Sequence, residues 1–212
     1  MSQGTTSSSD GGCVERPIRF VHRGRITEVA GADTTRTLLD WLREDARCSG
    51  TKEGCAEGDC GACTVMVGER DGASVTWKTV NACIQLLPML DGKAIRTVED
   101  VKQGDALHPA QQAMVECHGS QCGFCTPGFV MSLFTLYHEG TRPTRQQIVD
   151  HIAGNLCRCT GYRPIIDAAV KSCTGKPLDQ WAANAGEAAA RLQSLRDGAD
   201  VFAGTSESFI AR

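Results

Sequence analysis

The sequence has no apolar run that approaches the about 20 residues a membrane-spanning helix needs, so no membrane partner is expected. Nor does it carry an excess of one charge. Its 22 Lys and Arg against 25 Asp and Glu give a formal net charge of -3, which leaves no electrostatic basis for binding nucleic acid. A basic n-region followed by an apolar h-region is missing from the start, so no secretory signal is expected. Residues 1–12 are rich in Ser, Thr and Gly, and residues 1–15 read as a disordered tail. No long-period repeat is visible. No Ser/His/Asp array or pair of carboxylates stands out as a catalytic acid, base or nucleophile. The reading is a weakly acidic cytoplasmic protein, in a compartment that keeps thiols reduced. Its 212 residues suffice for one or two compact units.

Against these absences stand twelve cysteines. In a reducing compartment, clustered cysteines point to metal rather than to disulfides. They fall into two groups, and the chain changes character between them. Residues 18–22 and 25–29 read as a hairpin around Arg23-Gly24. Residues 35–44 read as an amphipathic helix with Leu38, Leu39, Trp41 and Leu42 as ordinary core, capped by Thr34 or Thr35. A Gly-rich loop follows over 48–63. Strands are expected over 64–67 and 75–80 about an Asp71-Gly72 turn, a short helix over 82–90, and a last strand over 94–98. This ββαββαβ order describes a small α+β domain over residues 16–100.

Beyond it, residues 109–116, 127–139, 144–153 and 164–172 carry helical periodicity. Pro109, Pro127 and Pro164 stand where first turns begin, and Gly140 and Gly154 where helices stop. Residues 101–175 thus read as an all-α four-helix domain. Phe129, Val130, Leu133 and Phe134 fit a face buried against another helix or a subunit interface. Residues 176–212 read as a linker, with room for a surface helix over 184–196.

The first group is Cys55-Ala-Glu-Gly-Asp-Cys60-Gly-Ala-Cys63 with Cys83 at a distance: C-x4-C-x2-C and a fourth Cys, the spacing of plant-type [2Fe–2S] ligation. Gly54, Gly58 and Gly61 let backbone amides approach an anionic cluster. A structural zinc site usually pairs two short knuckles instead. The second group, Cys117-His-Gly-Ser-Gln-Cys122-Gly-Phe-Cys125 with Cys157-Arg-Cys159, has five candidates for four places. Spacing leaves Cys117 open. Placement favours Cys122, Cys125, Cys157 and Cys159, each just before a helix whose N-terminal dipole suits an anion. Zinc is a stronger rival here. The five histidines share no spacing, and none forms a Rieske Cys-x-His pair, so surface or capping roles are expected for them.

Three strings resemble the iron–sulfur portion of the molybdenum hydroxylases, and most closely bacterial xanthine dehydrogenase small subunits. They are Thr51-Lys-Glu-Gly-Cys-Ala-Glu-Gly-Asp-Cys-Gly-Ala-Cys-Thr64, His118-Gly-Ser-Gln-Cys-Gly-Phe-Cys-Thr-Pro-Gly128 and Gly154-Asn-Leu-Cys-Arg-Cys-Thr-Gly-Tyr-Arg-Pro-Ile165. The resemblance implies a ferredoxin-like β-grasp domain with Cys55, Cys60, Cys63 and Cys83, then a helical domain with Cys122, Cys125, Cys157 and Cys159. It makes Cys117 a non-ligand. It also implies that electrons from a molybdopterin centre on a large partner subunit enter the helical-domain cluster, pass to the β-grasp cluster, and reach FAD and then NAD. Gln121 matches the position that hydrogen-bonds the molybdopterin. The implied assembly is a higher hetero-oligomer oxidising hypoxanthine or xanthine to urate, or a relative acting on another heterocycle, an aldehyde or CO. In the resembling subunits the chain runs on into an FAD domain. Here that domain is expected as a separate polypeptide or as a further part of a longer chain. Cys13, Cys48, Cys117 and Cys173 are expected to be free thiols.

Overall fold

The computed structural model describes residues 16–102 and 104–196, residue 198, and the backbone of 201–202 and 210–211. The expected tail, with Cys13, lies outside the described residues, as does most of the chain past 196.

Strands β1 (Ile18–His22) and β2 (Arg25–Val29) form the expected hairpin, with Ile18 opposite Val29 and His22 opposite Arg25. Helix α1 (Leu38–Glu44) starts later than expected. Its cap is Thr37, whose hydroxyl accepts from the Asp40 amide while the Asp40 carboxylate reaches back to Thr37. Thr35 is instead held in a turn by the Asp33 carboxylate. Strands β3 (Thr64–Asp71) and β4 (Ser74–Asn81) pair through a two-residue turn at Gly72-Ala73.

Residues 82–90 do not form the expected α-helix. Leu86 bridges Thr37, and Leu87–Leu90 makes a single 3-10 turn. The Gln85 carbonyl accepts from the Leu38 amide and the Arg36 carbonyl from the Leu87 amide, while Pro88 has no amide to donate. Those outward hydrogen bonds replace helical ones and leave Cys83 where the Gly-rich loop can reach it. Strand β5 (Ala94–Arg96) is shorter than expected, because Val98 already begins the one-turn helix α2 (Val98–Val101). The sheet order is β2-β1-β5-β3-β4, with β5 parallel to β1 and antiparallel to β3.

The four expected helices are present as α3 (Pro109–Glu116), α4 (Thr126–His138), α5 (Arg145–His151) and α6 (Arg163–Ser172). Phe129, Val130, Leu133 and Phe134 of α4 are buried in the core these helices share with Ile148, Ile165 and Ala169. The fold is therefore α+β: a ferredoxin-like β-grasp unit followed by an all-α unit.

Alternation along the strands explains how the two units join. Ile18, Phe20, Val65, Val67 and Ile95 pack with Leu38, Leu39, Trp41 and Leu42 of α1. The residues between them point the other way: Met66 enters the helical core, and Val21 and Ala94 pack against Leu192 and Leu195. Both sheet faces are covered. The helix expected over 184–196 is α8 (Ala185–Ser194), a surface helix that docks one face on the sheet through Ala189 and Leu192. Leu192 and Leu195 are fully buried on the sheet, each contributing about 2 kcal/mol. That much of the expected linker is docked chain.

A short helix α7 (Gln180–Ala183) precedes it, capped by Asp179. The buried Asp179 carboxylate accepts from His108 Nε2 at 2.9 Å and lies 2.9 Å from His138 Nε2. His108 caps α3 as the sequence allows, its Nδ1 accepting from the Ala110 amide, but it is buried rather than at the surface. His22 is buried too, edge-on to Trp41, because it closes the core beside α1. Arg96 is stacked between Trp77 and Trp181, 3.9 and 4.4 Å from the ring centroids. Burial raises the Asp179 carboxyl, and its bonds from His108, His138 and the Ala182 amide more than reverse this, holding it well below the usual range. A group depressed in the fold stabilises above its unfolded pKa, roughly 4, and that stability fades as pH falls below it. Asp179→Asn is expected to lower stability at pH 7 by about 1.5–3 kcal/mol and to flatten the acid limb of a Tm–pH curve. An unchanged acid limb would remove Asp179 from the account.

Candidate metal centres

The loop between α1 and β3 is positioned from both sides. The Gly50 amide donates to Glu99 Oε1 at 2.7 Å, and Arg43 donates to the Thr51 carbonyl at 2.9 Å. Within it Ala56 sits in the left-handed region at φ 57°, which curls the chain around its own sulfurs. Amides of Asp59 and Cys60 point at Cys55 Sγ, both at 3.3 Å, and the Gly58 amide at Cys83 Sγ at 3.2 Å. The amides of Glu57, Cys60 and Asp59 draw the Cys55 thiol down to about 6. Burial and the neighbouring Cys63 thiol push Cys83 up to about 12. The thiols of the group act on one another: Cys60 on Cys55, and both Cys63 and Cys55 on Cys83.

The second group shows the same arrangement. Cys125 is the N-cap of α4, and Tyr162 is the N-cap of α6. The two helix starts meet through Phe129 and Tyr162, whose rings lie edge-on at 6.2 Å. Cys159 and Cys157 both act on Cys122, and Cys157 and Cys122 both act on Cys125. The Phe124 amide and the Cys159 thiol lower Cys122, while its partner Cys159 is raised. Burial and the Cys157 thiol push Cys125 up to about 12. Burial opposes ionisation of Cys157, but bonds from the Thr160 hydroxyl and the amides of Thr160 and Cys159 win, so that thiol is lowered. Cys117 is not among these thiols. It closes α3 as its C-cap, against the helical core and near Lys171. Cys48 and Cys173 are buried free thiols, both raised by burial. Gln121 is exposed immediately before Cys122.

A two-iron rhomb, in which each iron takes two thiolates and shares two sulfides, needs four cysteines, the number each group supplies. A four-cysteine zinc site instead brings all its sulfurs about 2.3 Å from one point. Amides aimed at sulfur suit an anionic cluster. Eight thiols in two groups of four, with amides aimed at Cys55 and Cys83, fit two [2Fe–2S] groups.

The sites adjoin across the boundary between the units. The Leu156 amide, next to Cys157, donates to the Cys60 carbonyl at 2.9 Å. The buried Asn155 amide donates to the Gly61 carbonyl at 2.9 Å and to Thr64 Oγ1 at 3.0 Å, and accepts from Ser132 Oγ at 2.6 Å. Gly61, at φ 68°, lies so close that a Cβ there would fall 2.2 Å from the Gly154 carbonyl oxygen. A Cβ on Gly128 would fall 2.2 Å from that of Gly61. Sequence reasoning did not single out Asn155, Thr160 or Tyr162. The only signal was their position in the string from Gly154 to Ile165 around Cys157 and Cys159, and their partners lie up to 94 residues away.

Comparison with known proteins agrees with this division. Residues 20–85 match the family model described as the 2Fe-2S iron-sulfur cluster binding domain, and residues 97–170 match the [2Fe-2S] binding domain. The chain is 45% identical over 163 residues to a xanthine dehydrogenase of Blastobotrys adeninivorans, covering 76% of this chain and 12% of that protein. It superposes on the aldehyde oxidoreductase of Desulfovibrio gigas with a TM-score of 0.65 and 36% identity, over 76% of this chain and 17% of that one. For a chain of quinoline 2-oxidoreductase from Pseudomonas putida 86 the TM-score is 0.62 and the identity 33%, over 82% of this chain and 96% of that one. The chain thus spans about an eighth of the length of the curated relatives it matches. With two cysteine-lined sites joined back to back and a relative matched over nearly its whole length, this chain belongs to the iron–sulfur subunits of the molybdenum hydroxylase family.

Proposed function

We propose that the chain is the electron-relay component of a molybdenum hydroxylase, with Cys122, Cys125, Cys157 and Cys159 holding one [2Fe–2S] cluster and Cys55, Cys60, Cys63 and Cys83 the other. The observation that supports this most is the set of backbone amides aimed at Cys55 and Cys83, on a site joined to the second cysteine group through the Leu156–Cys60 hydrogen bond. When bound, the clusters supply one-electron carriers between a molybdopterin centre on a partner and FAD, with NAD as the final acceptor. The residues of this chain bind, orient and shield. The exposed Cys122 and Cys159 leave one edge of the second site open to a partner, and the exposure of Gln121 next to Cys122 supports a role for it as donor to the pterin. The half-buried Cys125 and the buried Cys157 turn inward. Leu156 and Cys60 join the two sites by one backbone hydrogen bond.

The substrate we favour is hypoxanthine or xanthine, oxidised to urate on the partner, a reading supported by the likeness to a protein named xanthine dehydrogenase. The aldehyde and quinoline oxidoreductase relatives keep an aldehyde or another heterocycle as the second reading. The molybdopterin-binding and FAD-binding partners would assemble with this chain in the cytoplasm as a hetero-oligomer. Among the described residues no helix is long and apolar enough to cross a membrane. The purified, reduced chain is expected to show two distinct EPR signals and about four irons, two for each [2Fe–2S] cluster. A single signal, or stoichiometric zinc, overturns the two-cluster reading. Copurification with partners and turnover assays on xanthine, aldehydes and quinoline decide the substrate.

A further inference from the structure

Around Cys157 the chain closes a small ring of hydrogen bonds. The Cys157 amide donates to the Tyr162 hydroxyl at 3.0 Å. The Tyr162 amide donates to Thr160 Oγ1 at 3.2 Å. Thr160 Oγ1 in turn lies 3.2 Å from Cys157 Sγ. The ring is held under backbone strain. Tyr162 is a non-glycine residue at φ 67°, a conformation that persists only where the surroundings demand it. Its ring is braced edge-on by the fully buried Phe129, and the residue serves as the N-cap of α6.

The proton count gives the ring a direction. A hydroxyl has one proton and two lone pairs, and a metal-bound thiolate has no proton to give. One lone pair of Thr160 Oγ1 is taken by the Tyr162 amide, so the hydroxyl proton is left for the sulfur. We propose that Thr160, aimed by Tyr162, is the residue that raises the reduction potential of the second cluster by donating a hydrogen bond to its ligand Cys157. Uptake of one electron places one more negative charge on the cluster and its thiolates. A donor at the sulfur then binds more strongly in the reduced state than in the oxidised state, which shifts the potential upward. No side-chain hydroxyl bonds a cysteine of the first site among the described contacts, where the donors to Cys55 and Cys83 are backbone amides. The device therefore acts on one site, and so on how an electron divides between the two. Thr160 acts through Cys157 and is a positioning residue.

The inference rests on the reading that Cys157 ligates a [2Fe–2S] cluster, and the test keeps the two separable. The full cluster-loaded chain is titrated with dithionite as the one-electron donor and followed by EPR. Thr160→Val is expected to shift one signal's midpoint downward by a tenfold change in its oxidised-to-reduced ratio, about 59 mV for one electron. The other signal stays in place, and Thr160→Ser restores the wild-type midpoint. Thr160→Ala, which asks for no room for a second methyl, should shift the midpoint in the same direction as Val. Wild-type midpoints in Val and Ala, equal shifts of both signals, or loss of the second signal in both variants overturn the proposal. A wild-type chain with only one signal instead overturns the ligand assignment beneath it.

Discussion

Cys157→Ser is expected to abolish one of the two EPR signals of the reduced chain, to remove about two of its four irons, and to leave the other signal intact. The expectation follows from how the two sites share contacts. Cys157 pairs with Cys125 inside the helical unit, while the first site draws its sulfurs from Cys55, Cys60, Cys63 and Cys83. What joins the sites is backbone and an amide: the Leu156 hydrogen bond to the Cys60 carbonyl and the Asn155 bonds to Gly61 and Thr64. A Ser at 157 keeps that backbone and removes only the sulfur. Iron analysis and EPR on the purified variant check it. Disappearance of both signals would mean that the halves do not hold their clusters independently.

Gly128→Ala is expected to be among the most destabilising single-methyl changes in the chain, by about 3 kcal/mol. Gly128 lies in the first turn of α4, where φ is ordinary, so the effect comes from space and not from backbone preference. The added Cβ would sit 2.2 Å from the Gly61 carbonyl oxygen. That same oxygen accepts from Asn155. Relieving the clash drives α4 away from the first cluster loop and stretches the Asn155 bonds that tie Gly61, Thr64 and Ser132 together. In a domain of this size 3 kcal/mol corresponds to a Tm lower by roughly 6–12 °C. The magnetic coupling between the two reduced clusters should weaken as their loops part. A Tm within a degree of wild type would show that the close approach carries no energetic weight.

Much of this was legible in the chain. The Cys55–Cys60–Cys63 spacing, the Gly-rich loop and the β1–β2 and β3–β4 hairpins are short-range features, set within a dozen or so residues by turn chemistry and ligand geometry. The helix starts at Pro109 and Thr144 were readable for the same reason. The stretch 82–90 misled because its apolar residues suit a helix or a packed irregular turn equally. The choice fell to hydrogen bonds with Arg36 and Leu38, some 50 residues away in the chain. The stretch 176–196 misled in the opposite sense. Its few apolar residues are widely spaced, and their value comes from Val21 and Ala94 on the far face of the sheet.

The amino-acid sequence alone determined that thiolates hold metal in two groups, and the first group's spacing pointed to [2Fe–2S] before the chain is folded. Tertiary structure alone decided the rest. It set Cys117 as the C-cap of α3, near the end of the helix where the sequence had placed it. It also set Asn155 as the peg between sites 94 residues apart and Asp179 as the partner of a histidine 71 residues away. Such contacts join groups whose separation along the chain carries no local signal. Only the burial of both sheet faces brings them within hydrogen-bonding distance.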